Sequence, residues 1–115
     1  VSVDTNLVDI DRIQVTNRVL TEVMREREAQ YEKWGEQNHP NGTGRPASKE
    51  IADAARAITD RKAKLGTLTY LDILREEFFE AAAEGDADSL RKELIQVAAV
   101  AVAWVEAIDR KKDAK

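Results

Sequence analysis

The chain has 115 residues, with 18 Lys plus Arg against 22 Asp plus Glu, a formal net charge of −4 and no Cys. That length suits one domain, the acidic balance argues against a non-specific nucleic-acid binder, whose footprint is basic, and the absence of Cys excludes a disulfide framework, a thiolate metal site and a Cys nucleophile. The longest apolar run, Val97 to Val105, is nine residues, whereas a membrane span needs about 20, so neither nucleic acid nor membrane is an expected partner.

With 5 Gly, 2 Pro and 35% charged residues, the composition is helical. Residues 1–11 are polar and irregular and read as a loose arm. A single all-α domain is expected over 12–112, and residues 113–115 form a tail. From about Arg12 a helical period appears: Val15, Val19 and Val23, with Leu20 and Met24, recur at spacings of three and four. This stripe carries a first helix to about Tyr31 or Trp34. Residues 35–47 hold three of the five Gly and both Pro, so they are predicted to form a loop. A loop of that length is usually functional or mobile.

Ser48 is the expected N-cap of a second helix, which carries Ile51, Ala52, Ala55, Ile58 and Leu65 and stops at Gly66. Thr67 or Thr69 caps the third, and Thr69 with Asp72 resembles a capping box. This helix runs from Tyr70 to about Glu84 and is halted by Gly85. Asp86 or Asp88 caps the fourth, which runs to about Arg110, with Arg110, Lys111 and Lys112 marking its C-terminus. Four helices with no convincing strand predict a small all-α, four-helix bundle protomer. No leader segment is visible, and the cytoplasm is the expected compartment.

Two segments carry chemical information. On the third helix, Leu71, Leu74, Phe78 and Ala82 share one face, and Glu77, Glu80 and Glu84 cluster on another. Like charges at these spacings repel, but carboxylates three residues apart can converge on one hard cation. The fourth helix reads as apolar on every side from Leu94 to Ile108, and such a helix is buried all round. A protomer this small cannot surround it, so packing in a homo-oligomer through that helix is expected. Glu93 and Gln96 head a row that continues as Val97, Val100 and Trp104. A buried carboxylate there needs a hydrogen-bond partner, a cation or an open cavity; Arg75 and Arg56 are candidate partners.

The combined pattern is Glu76-Glu77-x-x-Glu80 on one helix and Glu93-x-x-Gln96 on the next. Antiparallel packing through the Gly85–Asp88 turn sets Glu80 and Glu93 at similar heights. Their oxygen donors suit Mg²⁺ or Mn²⁺.

These two motifs resemble the Glu-Glu-x-x-Glu plus Glu-x-x-Asp signature of the MazG-like all-α nucleoside triphosphate pyrophosphohydrolases. The run Leu90-Arg91-Lys92-Glu93-Leu94-Ile95-Gln96-Val97, followed by Trp104, is similar to a bacterial and phage branch of that superfamily. So is Lys33-Trp34-Gly35-Glu36-Gln37-Asn38-His39-Pro40. The resemblance spans roughly residues 20–110. It implies Mg²⁺-dependent hydrolysis of a nucleoside or deoxynucleoside triphosphate to the monophosphate and pyrophosphate, by a dimer or tetramer of helical protomers. Carried over by motif position, Glu77, Glu80 and Glu93 are metal ligands and Gln96 takes the fourth position, usually Asp. An amide oxygen ligates without charge, so the departure weakens ion binding or removes one of two metals.

Within that reading, Glu76 or Glu80 orients or deprotonates the attacking water. Lys33, Arg75 and Arg91, with Lys92 and Arg56, are candidates to neutralise the departing pyrophosphate. Trp34 is a candidate to stack on the base, and His39 to touch substrate. Other chemistries lack their parts. No helix carries the Glu-x-x-His pairs of a di-iron bundle, and neither a Gly-x-Ser-x-Gly elbow nor a phosphate-binding Gly-x-x-x-x-Gly-Lys loop is present. The alternative is a non-catalytic oligomeric helical scaffold, or a nucleotide-binding protein with a degenerate metal site.

Overall fold

The computed structural model describes the backbone over residues 3–114 and the side chains over residues 10–114. Four helices follow in order, α1 (Val3–Trp34), α2 (Ser48–Leu65), α3 (Tyr70–Ala83) and α4 (Ala87–Asp113). No strand occurs among the described residues, so the all-α expectation is met.

The first helix departs from its expected start. Residues 1 and 2 of the expected arm lie outside the described residues, but from Val3 the backbone is helical rather than loose. Val3 to Asp11 contains no Gly or Pro, and α1 continues through it without a break. At the other end, Gly35 takes a left-handed conformation and its N–H bonds to the carbonyl of Tyr31 at 2.7 Å.

The ends of α2 show which local signals dominate. Ser48 is the first helical residue, not the cap; Ala47 holds the N-cap position with φ 70° and no side-chain hydrogen bond. A positive φ at a residue with a Cβ is a strained conformation, and nothing else described at this turn accounts for it. At the C-terminus, Gly66 is left-handed with φ 74°. Its N–H reaches the carbonyl of Ala63, and the N–H of Thr67 reaches that of Lys62 at 2.9 Å. This pair of bonds satisfies carbonyls that the helix leaves open, and only a residue without Cβ adopts the turn freely.

The N-terminus of α3 forms the expected capping box. The Asp72 N–H donates to Thr69 Oγ1 at 3.1 Å, and the Thr69 N–H donates to Asp72 Oδ2 at 3.0 Å. For α4 the cap is Asp86, whose Oδ2 accepts from the Ser89 N–H at 2.9 Å.

The described residues group into two units. One comprises residues 3–39 and 102–114, that is α1 and the last part of α4. Val19 is its buried apolar residue, and Thr16 Oγ1 donates to Glu106 Oε2 at 2.7 Å. The other comprises residues 40–101, with α2, α3 and the first part of α4. Here α2 lies against α3, and Ala52, Ala55, Ala81 and Leu90 are buried. Residues 43–44 of the loop grip the end of α3. The Gly44 N–H donates to the Ala82 carbonyl at 2.9 Å, and the Thr43 hydroxyl donates to the Glu84 carbonyl.

Much apolar surface remains uncovered. No large side chain is fully buried among the described residues, and Ile51, Ile58, Leu65, Leu71, Phe78, Leu94, Ile95, Val105 and Ile108 are exposed. A single chain therefore leaves much of α4 uncovered, as expected of a protomer too small to surround it. Gln96 is exposed as well, so it does not head a buried row, whereas Glu93 is half-buried.

Candidate metal centre

The residue pattern of α3 follows from its partner helix. Ala81 is buried on the side toward the core, and the turn before it places Glu76, Glu77 and Glu80 in half-buried positions. Each of the three offers a carboxylate oxygen, and those oxygens lie within 4.8 Å of one another. Three like charges so close repel strongly unless something neutralises them.

The electrostatics reflect that strain. Burial, then Glu80, pushes the Glu76 carboxyl above its usual 4.5. Glu77 is raised by burial and by the charges of Glu80, Glu93 and Glu76. Glu93, from α4, is raised by burial and by Glu80 and Glu84. Glu77 Oε2 and Glu93 Oε2 are buried without a hydrogen-bond partner. A buried carboxylate oxygen with nothing to accept from is costly.

Part of the charge is met from α2. Arg56 donates to Glu80 Oε2 from Nη2 at 2.7 Å and from Nε at 3.2 Å, and its Nε lies 3.8 Å from Glu76 Oε2. Glu80 raises the Arg56 pKa further above its ordinary value, through the hydrogen bond and its charge. A cavity of ≈ 280 Å³ is lined from α2 by Lys49, Ala52, Asp53 and Arg56, and from beyond it by Glu80, Ala83, Glu84 and Glu93. Lys49 pairs with Asp53 one turn along its own helix, at 3.3 Å.

The remaining sequence candidates fall elsewhere. Gln96 and Arg91 are exposed on α4. Arg75 turns to Asp72, at 3.6 Å, and not to Glu93. Lys33, Trp34 and His39 belong to the unit that contains α1. There the Lys33 ammonium sits 4.8 Å from the centre of the Trp34 ring, a cation–π contact, with both residues and His39 exposed.

Lys49 and Asp53 are the charged cavity residues that sequence reasoning did not single out. A signal was present: Lys49, Ala52, Asp53 and Arg56 recur at three- and four-residue spacing and so share one face of α2.

Fold and site together define an all-α protein in which Glu76, Glu77 and Glu80 of α3 could hold a metal ion, beside an acidic cavity walled by three helices. Compared with protein-family models, with curated proteins and with solved structures, the chain gives no match.

Proposed function

We propose that the protein is a Mg²⁺-dependent hydrolase of a nucleoside or deoxynucleoside triphosphate, producing the monophosphate and pyrophosphate. The observation that carries the reading is the pair of orphaned buried oxygens, Glu77 Oε2 and Glu93 Oε2, beside the Glu76, Glu77 and Glu80 cluster. All are hard oxygen donors, and no basic side chain pairs with Glu77 or Glu93 among the ion pairs described. Mg²⁺ or Mn²⁺ fits that donor set. The resemblance of Glu76-Glu77-x-x-Glu80 and Glu93-x-x-Gln96 to the MazG-like signature supplies the substrate class.

Glu77, Glu80 and Glu93 would hold the ion. When bound, a divalent cation offsets the repulsion between carboxylates and phosphate and polarises the phosphoryl group. Glu76, with its carboxyl raised toward neutrality by burial, suits a base that takes a proton from water. Arg56 and Lys49 line the same cavity and suit the negative charge of departing pyrophosphate. Gln96 brings no charge, and its exposure supports three charged ligands rather than four.

We also read the protein as a homo-oligomer. Val19, Leu90 and three Ala are the buried apolar residues described, a thin core for a stable monomer. The absence of Cys favours a reducing compartment such as the cytoplasm, and among the described residues no helix is long and apolar enough to cross a membrane.

The test is pyrophosphate release from a panel of ribo- and deoxyribonucleoside triphosphates, with Mg²⁺, with Mn²⁺ and with chelator, alongside Glu80→Gln and Glu77→Gln. Metal-dependent release that both variants lose is the expected result. No release from any triphosphate would favour the second reading, an oligomeric helical scaffold or nucleotide-binding protein. Arg56, which already occupies Glu80, and the uncharged Gln96 are the features in favour of it.

A further inference from the structure

The acidic cavity contains a cation of the protein's own. Arg56 places two nitrogens on one oxygen of Glu80, at 2.7 and 3.2 Å, and lies 3.8 Å from Glu76. Glu80 and Glu76 are two of the three clustered carboxylates. Their side chains are 17% and 18% exposed, whereas that of Arg56 is 53% exposed. The carboxylates are therefore the fixed partners and the guanidinium, on a long and half-solvated stem, is the one free to move.

Arg56 already uses Glu80 Oε2. Mg²⁺ binds oxygen at about 2.1 Å, so an ion on that atom would stand within about 5 Å of the guanidinium. Like charges at that separation repel, more so where water is partly excluded, so the two cations compete for Glu80. We propose that Arg56 is the resident counter-ion of the carboxylate cluster in the metal-free protein, and that it exchanges Glu80 for a phosphoryl oxygen of the substrate when a divalent cation occupies the carboxylates.

The inference rests on the reading of this site as a metal-dependent phosphate site, and it assigns Arg56 two positions in it. Arg56 and Glu80 line the same cavity, so the released fork remains inside the space where the phosphates must lie. Its planar pair of donors matches phosphate in bidentate fashion. Lys49 lines that cavity too, but it is held by Asp53 at 3.3 Å and touches none of the clustered carboxylates. It therefore supplies a control of equal charge in the same cavity.

The experiment titrates Mn²⁺ into the nucleotide-free protein, followed by electron paramagnetic resonance, for the wild type, Arg56→Gln, Arg56→Lys and Lys49→Gln. Inorganic pyrophosphate binding at saturating Mn²⁺ is then measured on the same four proteins. Arg56→Gln should bind Mn²⁺ about two- to fivefold tighter, the range expected for loss of a competing, partly exposed ion pair. Lys49→Gln should change Mn²⁺ affinity by less than about twofold. With metal bound, Arg56→Gln should bind pyrophosphate roughly tenfold more weakly, and Arg56→Lys should recover only part of that loss because it keeps the charge without the fork.

Wild-type Mn²⁺ binding that Arg56→Gln leaves unchanged or weakens would overturn the inference and leave the metal reading intact. An equal gain in Arg56→Gln and Lys49→Gln would overturn it as well, since the effect would then be general charge. Unchanged pyrophosphate affinity in Arg56→Gln would overturn the phosphate contact. Absence of Mn²⁺ binding in all four proteins would overturn the metal reading, and the inference with it.

Discussion

The ammonium of Lys62 lies 2.8 Å from Asp72 Oδ2, which fastens the last turn of α2 to the first turn of α3. Asp72 is 4% exposed, and the same oxygen accepts from the Thr69 N–H at 3.0 Å and the Thr69 hydroxyl at 2.7 Å. One carboxylate thus closes the capping box and joins two helices. Thr69→Ala should cost about 1 kcal/mol, as loss of an N-cap does. Asp72→Ala should cost more than Thr69→Ala, because it also strips Lys62 of its partner. Urea denaturation of the two variants checks the order.

The same residue sets the acid limit of the fold. Lys62 and Thr69 hold the Asp72 carboxyl down at about 2, below its ordinary 3.8. A folded value lowered in this way contributes stability above the unfolded value, and that contribution is lost as pH falls from 3.8 toward 2. Glu76, Glu77 and Glu93 have the opposite sign. Their folded values are raised above 4.5, so their contribution is present below 4.5 and is lost as pH rises through the raised values. The melting temperature of the metal-free protein should therefore rise on acidification from neutral pH toward 4.5 and fall below 3.8. Asp72→Asn should flatten the acid fall, and Glu77→Gln should reduce the loss toward neutral pH. Thermal melts across that range measure both.

Glu77→Gln should stabilise the metal-free protein, by roughly 0.5 kcal/mol after solvent screening, since Glu80, Glu93 and Glu76 all act against its charge. It should also diminish the stabilisation by Mg²⁺. In the parent protein, Mg²⁺ at about 100 times its Kd should add about 2.7 kcal/mol, which chelation removes. Calorimetric melts with Mg²⁺ and with chelator, on parent and variant, separate the two effects.

Gly44→Ala should be strongly destabilising, by about 1–3 kcal/mol. Gly44 has φ +71°, and a Cβ placed on it would meet Gly85 Cα at 2.8 Å. It would also lie 3.2 Å from Gly85 N, and both are backbone atoms that cannot turn aside. A matched Gly42→Ala change carries the positive-φ penalty alone, because nothing lies within 4 Å of a Cβ there. The difference between the two urea midpoints reads the close approach directly.

Much of the fold is written in local chemistry. Gly66, the Thr69–Asp72 pair, Asp86 and the Gly- and Pro-rich stretch mark helix ends through backbone conformation and short-range hydrogen bonds, and such signals need no tertiary context. Ser48 misleads because a good capping side chain sits one residue inside the helix, where the N-cap position belongs to Ala47. Residues 3–11 mislead because polar composition resembles an arm even where nothing breaks the helix. In the candidate site, Glu76, Glu77, Glu80 and Glu93 are recoverable from spacing. Arg56 on Glu80 depends on how α2 lies against α3, which no periodicity encodes. Gln96 reads as buried from its apolar neighbours, yet in one chain those neighbours are themselves exposed.

The grip of Thr43 and Gly44 on the carbonyls of Glu84 and Ala82 also has an electrostatic consequence. A helix ends in unpaired carbonyls that carry about half a negative charge, and here that end borders a cavity already lined by Glu80, Glu84 and Glu93. The two loop donors cover it. Two carbonyls at that end thus meet loop donors instead of being left open, which offsets part of the negative charge that the helix end brings to a cavity already lined by carboxylates.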